Sequence, residues 1–390
     1  MTPPPTHPTT TPPARATTPP PTRATTPPPT HPGTPPPTRA TSSPRIPAVA
    51  RMWTLGTRGA LALVLVVVAL VPVLFSTFVT SQVGLTSLWL GIAAVSLTFL
   101  SGHGGMVSLA QTSLFGVAGL AAAKLSVEAG WNPWAAALVG ILAATAVGLL
   151  FGAVASGSQG IYFLIITLAF AQVTYFYFAA VPDFGAHEGI NGVRAPGIIG
   201  DPVQDPARMY YFLLAVSLVV FLGLRYVSRT AFGLALQGVR DDPARMAALG
   251  YNVRLHRTLG FMLAAPIAGA AGVLSAWSNT RMSAGSISLG VAILVLTAAV
   301  IGGLNRLEGA WVGALLYTLC DTYLRGWTDR FTTWLGVVFL VIVLVSPGGV
   351  VGALGSAGTW IRGRLPGGPP APEVPEAADL PVPLSSKGAL

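Results

Sequence analysis

The sequence has few charged residues, and lysine is almost absent from it. Charged side chains make up 9% of the 390 residues, against roughly a quarter in an ordinary soluble domain. The two lysines, Lys124 and Lys387, both lie outside any G-x-x-x-x-G-K-[ST] sequence. That sequence forms the loop that holds the phosphates of ATP in many ATPases. The chain is therefore expected not to bind ATP through such a loop.

Cysteine and catalytic arrangements are equally scarce. The only cysteine, Cys320, cannot form an internal disulfide, and a lone cysteine does not build a metal cluster. The sequence has no paired carboxylates, no His-Glu-x-x-His and no Ser/His/Asp arrangement that would support chemistry. The formal charge of +9 comes largely from arginines beside apolar runs, a distribution typical of membrane orientation rather than of nucleic-acid binding.

Two tails flank a long apolar region. Residues 1–50 are rich in proline and threonine, with PPPT starting at Pro3, Pro19, Pro27 and Pro35, a composition that predicts a disordered arm. A proline-recognition partner is the alternative to a dispensable arm, and Met52 would begin a complete sequence without it. Residues 353–390 predict a disordered C-terminal tail, so 51–352 form the predicted membrane domain.

Apolar segments recur throughout this domain, each near the roughly 20 residues that cross a bilayer. They lie at about 60–79, 83–100, 105–124, 134–156, 161–181, 211–227, 258–278, 288–304, 309–325 and 331–346. The second and third are separated by only Ser101 to Gly105, so they can also form one broken or re-entrant element. The sequence therefore predicts an all-α, polytopic transmembrane bundle with eight to ten spans.

Loop charges indicate the orientation of this bundle. The stretch 228–257 carries five arginines against two aspartates, whereas the loop 182–210 carries four acidic residues against two arginines. Because basic loops stay in the cytoplasm, the first stretch is predicted inside and the second outside. Ten spans satisfy both assignments and leave the N- and C-termini in the cytoplasm.

The cytoplasmic stretch contains a short helix with both ends marked in the sequence. Asp242 suits the N-cap and Pro243 the first helical position, while Gly250 can take the left-handed conformation that ends a helix. A helix of about two turns is unstable alone in water and needs a surface to lie against. We therefore predict a docking helix surrounded by arginines, with an ordinary interfacial loop helix as the alternative. The arginines are Arg229, Arg240, Arg245, Arg254 and Arg257.

Glycines and polar side chains inside the spans are candidates for a solute pathway, because polar groups are costly at membrane depth. Glycines interrupt apolar runs in both halves of the chain, as in transporters whose broken helices meet a solute near the midplane. The alternatives are that the glycines only allow close helix packing and that the polar side chains only join helices. The candidates are Gly102, Gly104, Gly105, Ser108, Gln111, Thr167, Gln172, Asn279, Gly302 and Gly303.

Several segments in order resemble one transporter family. GHGGMVSLAQTSLFGVAGL at 102–120 is similar to the G-x-x-G-x-x-S-L-G-x-x-x-F-x-G sequence of branched-chain amino acid ABC transporter permeases of the LivM type. GIYFLIITLAFA at 160–171 and GING at 189–192 also resemble that family. The region 228–274, with its F-G turn at Phe232 and its R-x-x-x-x-A-x-x-x-G helix, resembles the family's cytoplasmic region.

The likeness covers about 60–352 and includes departures. Ile301-Gly302-Gly303 and the S-P-G-G at 346–349 follow the family pattern. Ala110 stands where glycine is usual, Pro243 where glutamate is common and Arg257 where lysine is usual. Proline remains acceptable at a first helical position. The changes near Gly102 bear on the substrate more than on the fold.

The resemblance implies a permease subunit of an ATP-binding-cassette importer in the plasma (inner) membrane, not an enzyme. It implies two cytoplasmic ATPase subunits that bind ATP and Mg²⁺, a second LivH-like permease, an extracytoplasmic binding protein and surrounding lipid, with no cofactor on this chain. It also implies ATPase contact through a coupling helix, for which the candidates are Arg240, Asp241, Asp242, Pro243, Arg245, Leu249 and Gly250.

Other functions remain as alternatives. A related ABC permease for sugars, nucleosides, urea or short amides would share the architecture and differ in the lining of its pathway. An ion-coupled secondary transporter would need carboxylates inside its spans. Acidic residues here are nearly confined to loops and span ends, with Asp321 the nearest exception, which argues against that class.

Overall fold

The fold is known from a computed structural model. It describes residues 68, 70–72, 74–185 and 187–325, together with 333, 336–337, 340–341, 344 and 348–352. All of them belong to one compact unit, 60–390. The predicted arm 1–50 and tail 353–390 lie outside the described residues, as do half of the predicted span 60–79 and most of the predicted span 331–346.

The described chain is almost entirely helical. Its helices are α1 (Thr86–Gly104), α2 (Gln111–Val127), α3 (Pro133–Ala155), α4 (Gly160–Ala180), α5 (Pro206–Val227), α6 (Ala231–Asp241), α7 (Pro243–Ala248), α8 (Val253–Asn279), α9 (Leu289–Gly302) and α10 (Leu307–Leu324). A π-helical turn, Val79–Leu85, leads directly into α1, and 3₁₀ turns occupy Pro182–Phe184 and Ala284–Ile287. The all-α fold predicted from the sequence is confirmed.

Two short strands mark one end of the bundle. β1 (Ile190–Asn191) pairs antiparallel with β2 (Arg281–Met282), which follows α8 directly. At the opposite end α6 and α7 precede α8. We call these the β end and the α7 end. Because α8 runs between them, the two ends lie a full span apart.

Ion pairs fix neighbouring helices at each end. Lys124 near the end of α2 pairs with Asp183 after α4 at 3.3 Å, which puts both at the β end. Arg225 near the end of α5 pairs with Glu308 at the start of α10 at 3.1 Å, which puts both at the α7 end. The helices therefore alternate in direction along the chain, as the charge pattern predicts.

Burial separates central from peripheral helices. In the most apolar 18-residue stretch of the helix Val79–Gly104, which contains α1, 89% of the residues are buried, whereas the share is only 28% in the corresponding stretches of α3 and α5. A helix that is apolar on every side must lie in a core or face lipid. α1 and α8 are thus central, while α3, α4 and α5 present apolar side chains outward.

Small residues set the distances between the central helices. The backbone oxygen of Ala118 in α2 lies 2.5 Å from where a Cβ on Gly140 of α3 would stand. A Cβ on Gly272 of α8 would overlap the carbonyl oxygen of Phe115. Such close approach is how membrane helices gain packing energy without help from water.

The number of spans within the described residues is smaller than the eight to ten predicted. Five helices are long and apolar enough to cross a membrane, or six if the bent pair α9–α10 counts as one. α2 has 17 residues and α9 has 14, both short of the roughly 20 that a straight crossing needs. α9 and α10 are bent by 117° at their break, and both lie among residues predicted as separate spans.

Candidate functional site

The predicted docking helix is preceded by a helix that the sequence analysis did not identify. α6 starts after Thr230, whose side chain accepts a hydrogen bond from the Gly233 N–H at 3.3 Å. Phe232 and Gly233 lie in the first turn of α6, so the predicted F-G turn is a helix start. Leu236 and Val239 are fully buried, which anchors α6 on the bundle. The N-cap threonine and the apolar spacing of Ala235, Leu236 and Val239 would have predicted it.

The predicted caps of the docking helix are confirmed. The Asp242 carboxylate accepts from the Arg245 N–H at 2.9 Å, and Pro243 is the first residue of α7. Gly250 has a φ of 89°, a left-handed conformation that glycine adopts without strain. Asp241 differs from the prediction, since it is the last residue of α6 rather than part of α7.

α7 contacts the rest of the chain along one side only. Met246 packs on Gly238 of α6, with its sulfur 2.8 Å from where a Cβ on that glycine would stand. No residue of α7 is buried, and Leu249 is 67% exposed. Ala244, Arg245, Ala248, Leu249 and Tyr251 form an exposed patch that we call the α7 surface. A helix this short and this exposed has little to stabilise it except a partner.

The five arginines predicted around this helix do not form one exposed ring. Arg257 is 7% exposed, because it lies within the second turn of α8 and faces the bundle. Arg254 lies against Gly157 after α3, with a guanidinium nitrogen 2.9 Å from where a Cβ on Gly157 would stand. The other four arginines are exposed, so the basic surface lacks only Arg257.

Arg240 joins the end of α6 to the first glycine break. Its guanidinium donates a hydrogen bond to the Gly102 carbonyl oxygen and pairs with the Asp241 carboxylate at 2.7 Å. Its Cγ lies 2.6 Å from where a Cβ on Gly105 would stand. A cation at the last carbonyls of a helix is favourable because they carry the negative end of the helix dipole. The candidate docking segment thus touches the candidate pathway directly.

The two glycine breaks meet at the α7 end. A Cβ on Gly102 would lie 2.8 Å from the Leu304 carbonyl oxygen, and the Ser101 hydroxyl donates to that oxygen at 3.3 Å. Gly303, with a φ of 113°, lies against Gly348 and Gly349. The breaks therefore bring α1, α9 and the 348–349 turn together near one end of the bundle, not halfway along it. Gly104 packs against Met106 and Leu236.

The chain after Gly105 turns back into the bundle before α2 begins. The Leu109 N–H donates to the Thr167 hydroxyl at 3.2 Å, and Thr167 lies about two turns into α4. The Ser96 hydroxyl, about two turns before the end of α1, donates to the Gln111 side-chain oxygen at 3.3 Å. At 1.5 Å per residue, α2 starts roughly 10–12 Å inside the α7 end. The short length of α2 follows from this late start.

Four buried polar residues surround the start of α2. Ser96, Ser108, Gln111 and Thr167 are each at most 2% exposed, and we call them the α2-start cluster. The Gln111 side-chain nitrogen has no hydrogen-bond partner within the described part of the chain. This cluster is where the structure brings predicted pathway residues together. Ser96 was missed because a serine inside an apolar run is usually bonded to its own helix, as it also is here to the Ala93 oxygen at 2.7 Å.

The Thr167 contact provides a stability test. Thr167→Val removes the acceptor that the buried Leu109 N–H has within the described residues, and an unsatisfied buried donor costs about 1–3 kcal/mol. We expect a lower free energy of unfolding in detergent by that amount. Thr174→Val is the matched control on α4, since the Thr174 hydroxyl only donates to the Phe170 oxygen at 2.8 Å. Equal losses in both variants would contradict the structural role of Thr167.

Two predicted pathway residues lie apart from this cluster. Gln172 is half-buried further along α4. Asn279 is exposed at the β end, where its amide donates to the Ser275 carbonyl oxygen at 3.0 Å. Asn279 does line a cavity of about 240 Å³ with Thr77, Ser81, Gln82 and Pro202. The hydrophobic pattern of the sequence could not show that these two residues lie apart from the cluster, because it does not give the position of a residue along the bundle axis.

Comparison with known proteins identifies the family. The family model described as branched-chain amino acid transport system / permease component matches residues 79–346. The LivM permease protein of Escherichia coli K12, named for high-affinity branched-chain amino acid transport, is 22% identical over 284 residues, 67% of each chain. LivH of the same strain is 23% identical over 287 residues, 67% of this chain and 90% of that one. No solved structure matches.

One relative that matches part of the chain is named for a different transport system. The autoinducer 2 import system permease protein LsrC of Enterobacter is 29% identical over 143 residues, which are 34% of this chain and 41% of that one. The family match covers most of the present chain, including all the helices from α1 to α10. The chain therefore belongs to the branched-chain amino acid transport permease family, whose members are integral-membrane transport subunits and not enzymes.

Proposed function

We propose that this chain is a permease subunit of an ABC importer that carries branched-chain or other hydrophobic amino acids across the plasma membrane. Separate cytoplasmic ATPases supply the energy and hold the ATP and Mg²⁺, while this chain binds no cofactor. It works beside a second, LivH-like permease and receives solute from an extracytoplasmic binding protein. The family relationship supports an ABC importer, and the names of the LivM and LivH relatives support this substrate class.

The contact between Arg240 and the end of α1 is the observation that carries the mechanism. Force applied to α7 reaches α6 through Met246, and Arg240 then connects α6 to Gly102 and Gly105. Those glycines begin the segment that leads to the α2-start cluster. An ATPase can shift the permease between two states only if it binds them with different affinity. In this proposal the α7 surface has a different position in each state.

The α2-start cluster is the proposed contact for the polar part of the solute. The first N–H groups of a helix have no partners within it and favour a negative group such as a carboxylate. Gln111 adds a side-chain donor without a partner among the described residues, and Leu114 and Phe115 of the same helix are apolar.

In the proposed orientation the α7 end faces the cytoplasm with both termini, and the 182–210 loop meets the binding protein.

Uptake by a purified complex tests this function. The tagged chain is isolated from its own cells in mild detergent with the subunits that hydrolyse ATP and is reconstituted into vesicles. With the loaded binding protein present, labelled leucine is expected to accumulate only when ATP is available to the ATPases. Accumulation driven by a proton or sodium gradient without ATP would contradict the proposal and favour an ion-coupled transporter.

Competition in the same vesicles tests the substrate class. Unlabelled isoleucine and valine are expected to reduce leucine uptake, whereas ribose and urea leave it unchanged. LsrC is named for the import of autoinducer 2, and this likeness favours a second candidate outside the amino acids, a solute such as a sugar carried by a related ABC permease. ATP-dependent uptake of ribose without uptake of leucine would select that candidate while retaining the importer.

A further inference from the structure

A cavity at the α7 end lies outside the α7 surface and the α2-start cluster. It has a volume of about 150 Å³ and is bounded by the turn before α4, the second turn of α8, the end of α6, the first residue of α7 and the chain just after α1. Ser158, Gly160, Phe163, Arg240 and Arg257 line it. We call it the Arg257 cavity. Its polar side is strongly basic, and its other side is the Phe163 ring.

Arg257 is buried in this wall without an anion. Arg257 is only 7% exposed, and its Nε has no hydrogen-bond partner within the described ranges. Among the ion pairs of the described residues, none includes Arg257. Burying an unpaired guanidinium is expensive, so buried charges in proteins are almost always paired or bound to a ligand. This cavity therefore lacks a negative group.

Two further features of the lining favour an anion. Arg240 is a second cation in this wall. Its Nε and one terminal nitrogen face the Asp241 carboxylate and its other terminal nitrogen donates to the Gly102 carbonyl oxygen, so only the remaining terminal N–H groups can meet a ligand. Gly160 is the first residue of α4, a helix of 21 residues whose N-cap, Gln159, makes no side-chain capping bond. The first N–H groups of such a helix bind oxyanions readily. The guanidinium groups and the helix end converge on one small volume.

The lining also selects among anions. It contains no aspartate or glutamate, and the neighbouring Asp241 carboxylate already pairs with Arg240. The ammonium group of an amino acid would therefore lie beside the unpaired Arg257 guanidinium without a free carboxylate. A phosphate group meets the same lining without that repulsion, and its oxygens match the planar donors of arginine. Ile161 and Tyr162, next to the cavity in α4, are 70% and 72% exposed. These outward apolar side chains suit the acyl chains of a lipid.

We propose that the Arg257 cavity binds a phosphate group, supplied either by inorganic phosphate or by the headgroup of an anionic phospholipid. Arg257 is its principal contact, with Arg240, Ser158 and the start of α4 as further donors. The bound phosphate neutralises Arg257 and ties α4, α6 and α8 together at one end of the bundle. This inference is independent of which solute the permease carries.

Thermal unfolding of the purified full chain in neutral detergent tests the proposal. The probes are sodium phosphate against sodium chloride at equal ionic strength, and short-chain phosphatidylglycerol against short-chain phosphatidylcholine. We expect one or both phosphate probes to raise the unfolding midpoint saturably above the control probe. Arg257→Gln is expected to weaken that binding at least tenfold. Arg229→Gln, which removes the same charge from an exposed residue outside the cavity lining, is expected to change it less than twofold.

The arms of the experiment separate the sources of phosphate. An effect of phosphatidylglycerol alone identifies a lipid headgroup, and an effect of inorganic phosphate alone identifies the free ion. The proposal is overturned if neither probe has an effect beyond its control, or if Arg229→Gln and Arg257→Gln weaken the binding equally.

A second variant covers the case in which Arg257→Gln does not fold. Ser158→Asp places a carboxylate at the cavity wall, where it can pair with Arg257 from within the chain. It is expected to raise the unfolding midpoint without any probe and to abolish the response to phosphate and phosphatidylglycerol. An unchanged midpoint together with an undiminished phosphate response would contradict the site.

Discussion

Replacing Leu249 by Asp is expected to abolish ATP-driven uptake while the permease itself stays folded. Leu249 directly follows α7, is 67% exposed and contributes to no buried core, so the free chain loses little. In the proposed complex the same side chain is covered by an ATPase. Burying a leucine contributes about 1.5–3 kcal/mol, and the aspartate adds the desolvation of a charge. A loss of about 3 kcal/mol or more weakens the association at least a hundredfold.

Copurification of the ATPases with tagged permease and leucine uptake in vesicles are the two measurements. Val203→Asp is the matched control, since Val203 is 79% exposed at the β end and undergoes the same chemical change far from α7. We expect it to retain the ATPases. Arg245→Glu, on the same face of α7, is expected to weaken association as well. Normal association and uptake in Leu249→Asp would show that the ATPases bind elsewhere.

Gly302→Ala is expected to disrupt folding, although it adds a single methyl group. A Cβ at Gly302 would overlap the carbonyl oxygen and carbon of Gly309, both backbone atoms of α10 that no rotamer change can move. Relief requires the bent pair α9–α10 to separate, which also disturbs the contacts of Gly303 with Gly348 and Gly349. Overpacking of this kind typically costs 1–3 kcal/mol, and the rigid backbone contact puts this variant at the upper end, about 3 kcal/mol.

The fraction of detergent-extracted protein that elutes as a monodisperse peak, and its unfolding midpoint, measure this effect. Gly223→Ala is the matched control, because a Cβ there meets nothing within 4 Å. Gly223 lies inside α5, four residues before its end, where alanine is the better helix former, so the control is expected to keep or slightly raise the midpoint. If both variants behave alike, Gly302 serves as a chain break for a pathway rather than as a packing contact.

These glycines show where sequence reasoning reaches its limit. The apolar runs predicted most helix positions, because membrane helices must satisfy their backbone internally and so need long uninterrupted apolar segments. Asp242, Pro243 and Gly250 predicted the ends of α7, since capping depends only on neighbouring residues. Whether a glycine forms part of a solute pathway or allows the backbone of another helix to pack closely depends on which element faces it in the folded chain. That information is absent from the local sequence.

The candidate site was predicted less completely than the fold, for the same reason. Gln111 and Thr167 were identified as polar residues at membrane depth, yet their meeting with Ser96 depends on the turn of residues 105–110 back into the bundle. Apolar content alone predicts that stretch as part of a span. Arg257 was assigned to the exposed ring because an arginine near a helix end usually faces water. Its burial follows from the rotation of α8.

The β1–β2 pair gives α8 a second attachment with mechanical consequences. Gly192 and Val193 both donate to the Thr280 carbonyl oxygen, at 3.0 and 3.1 Å, so the loop after α4 is fastened to the last residues of α8. α8 is a continuous helix of 27 residues, roughly 40 Å long. Its N-terminal end follows α7. A force on that loop and a force on α7 therefore act on opposite ends of one rigid helix. Pro266, which lacks an N–H for the helix ladder, is the place where this helix yields first.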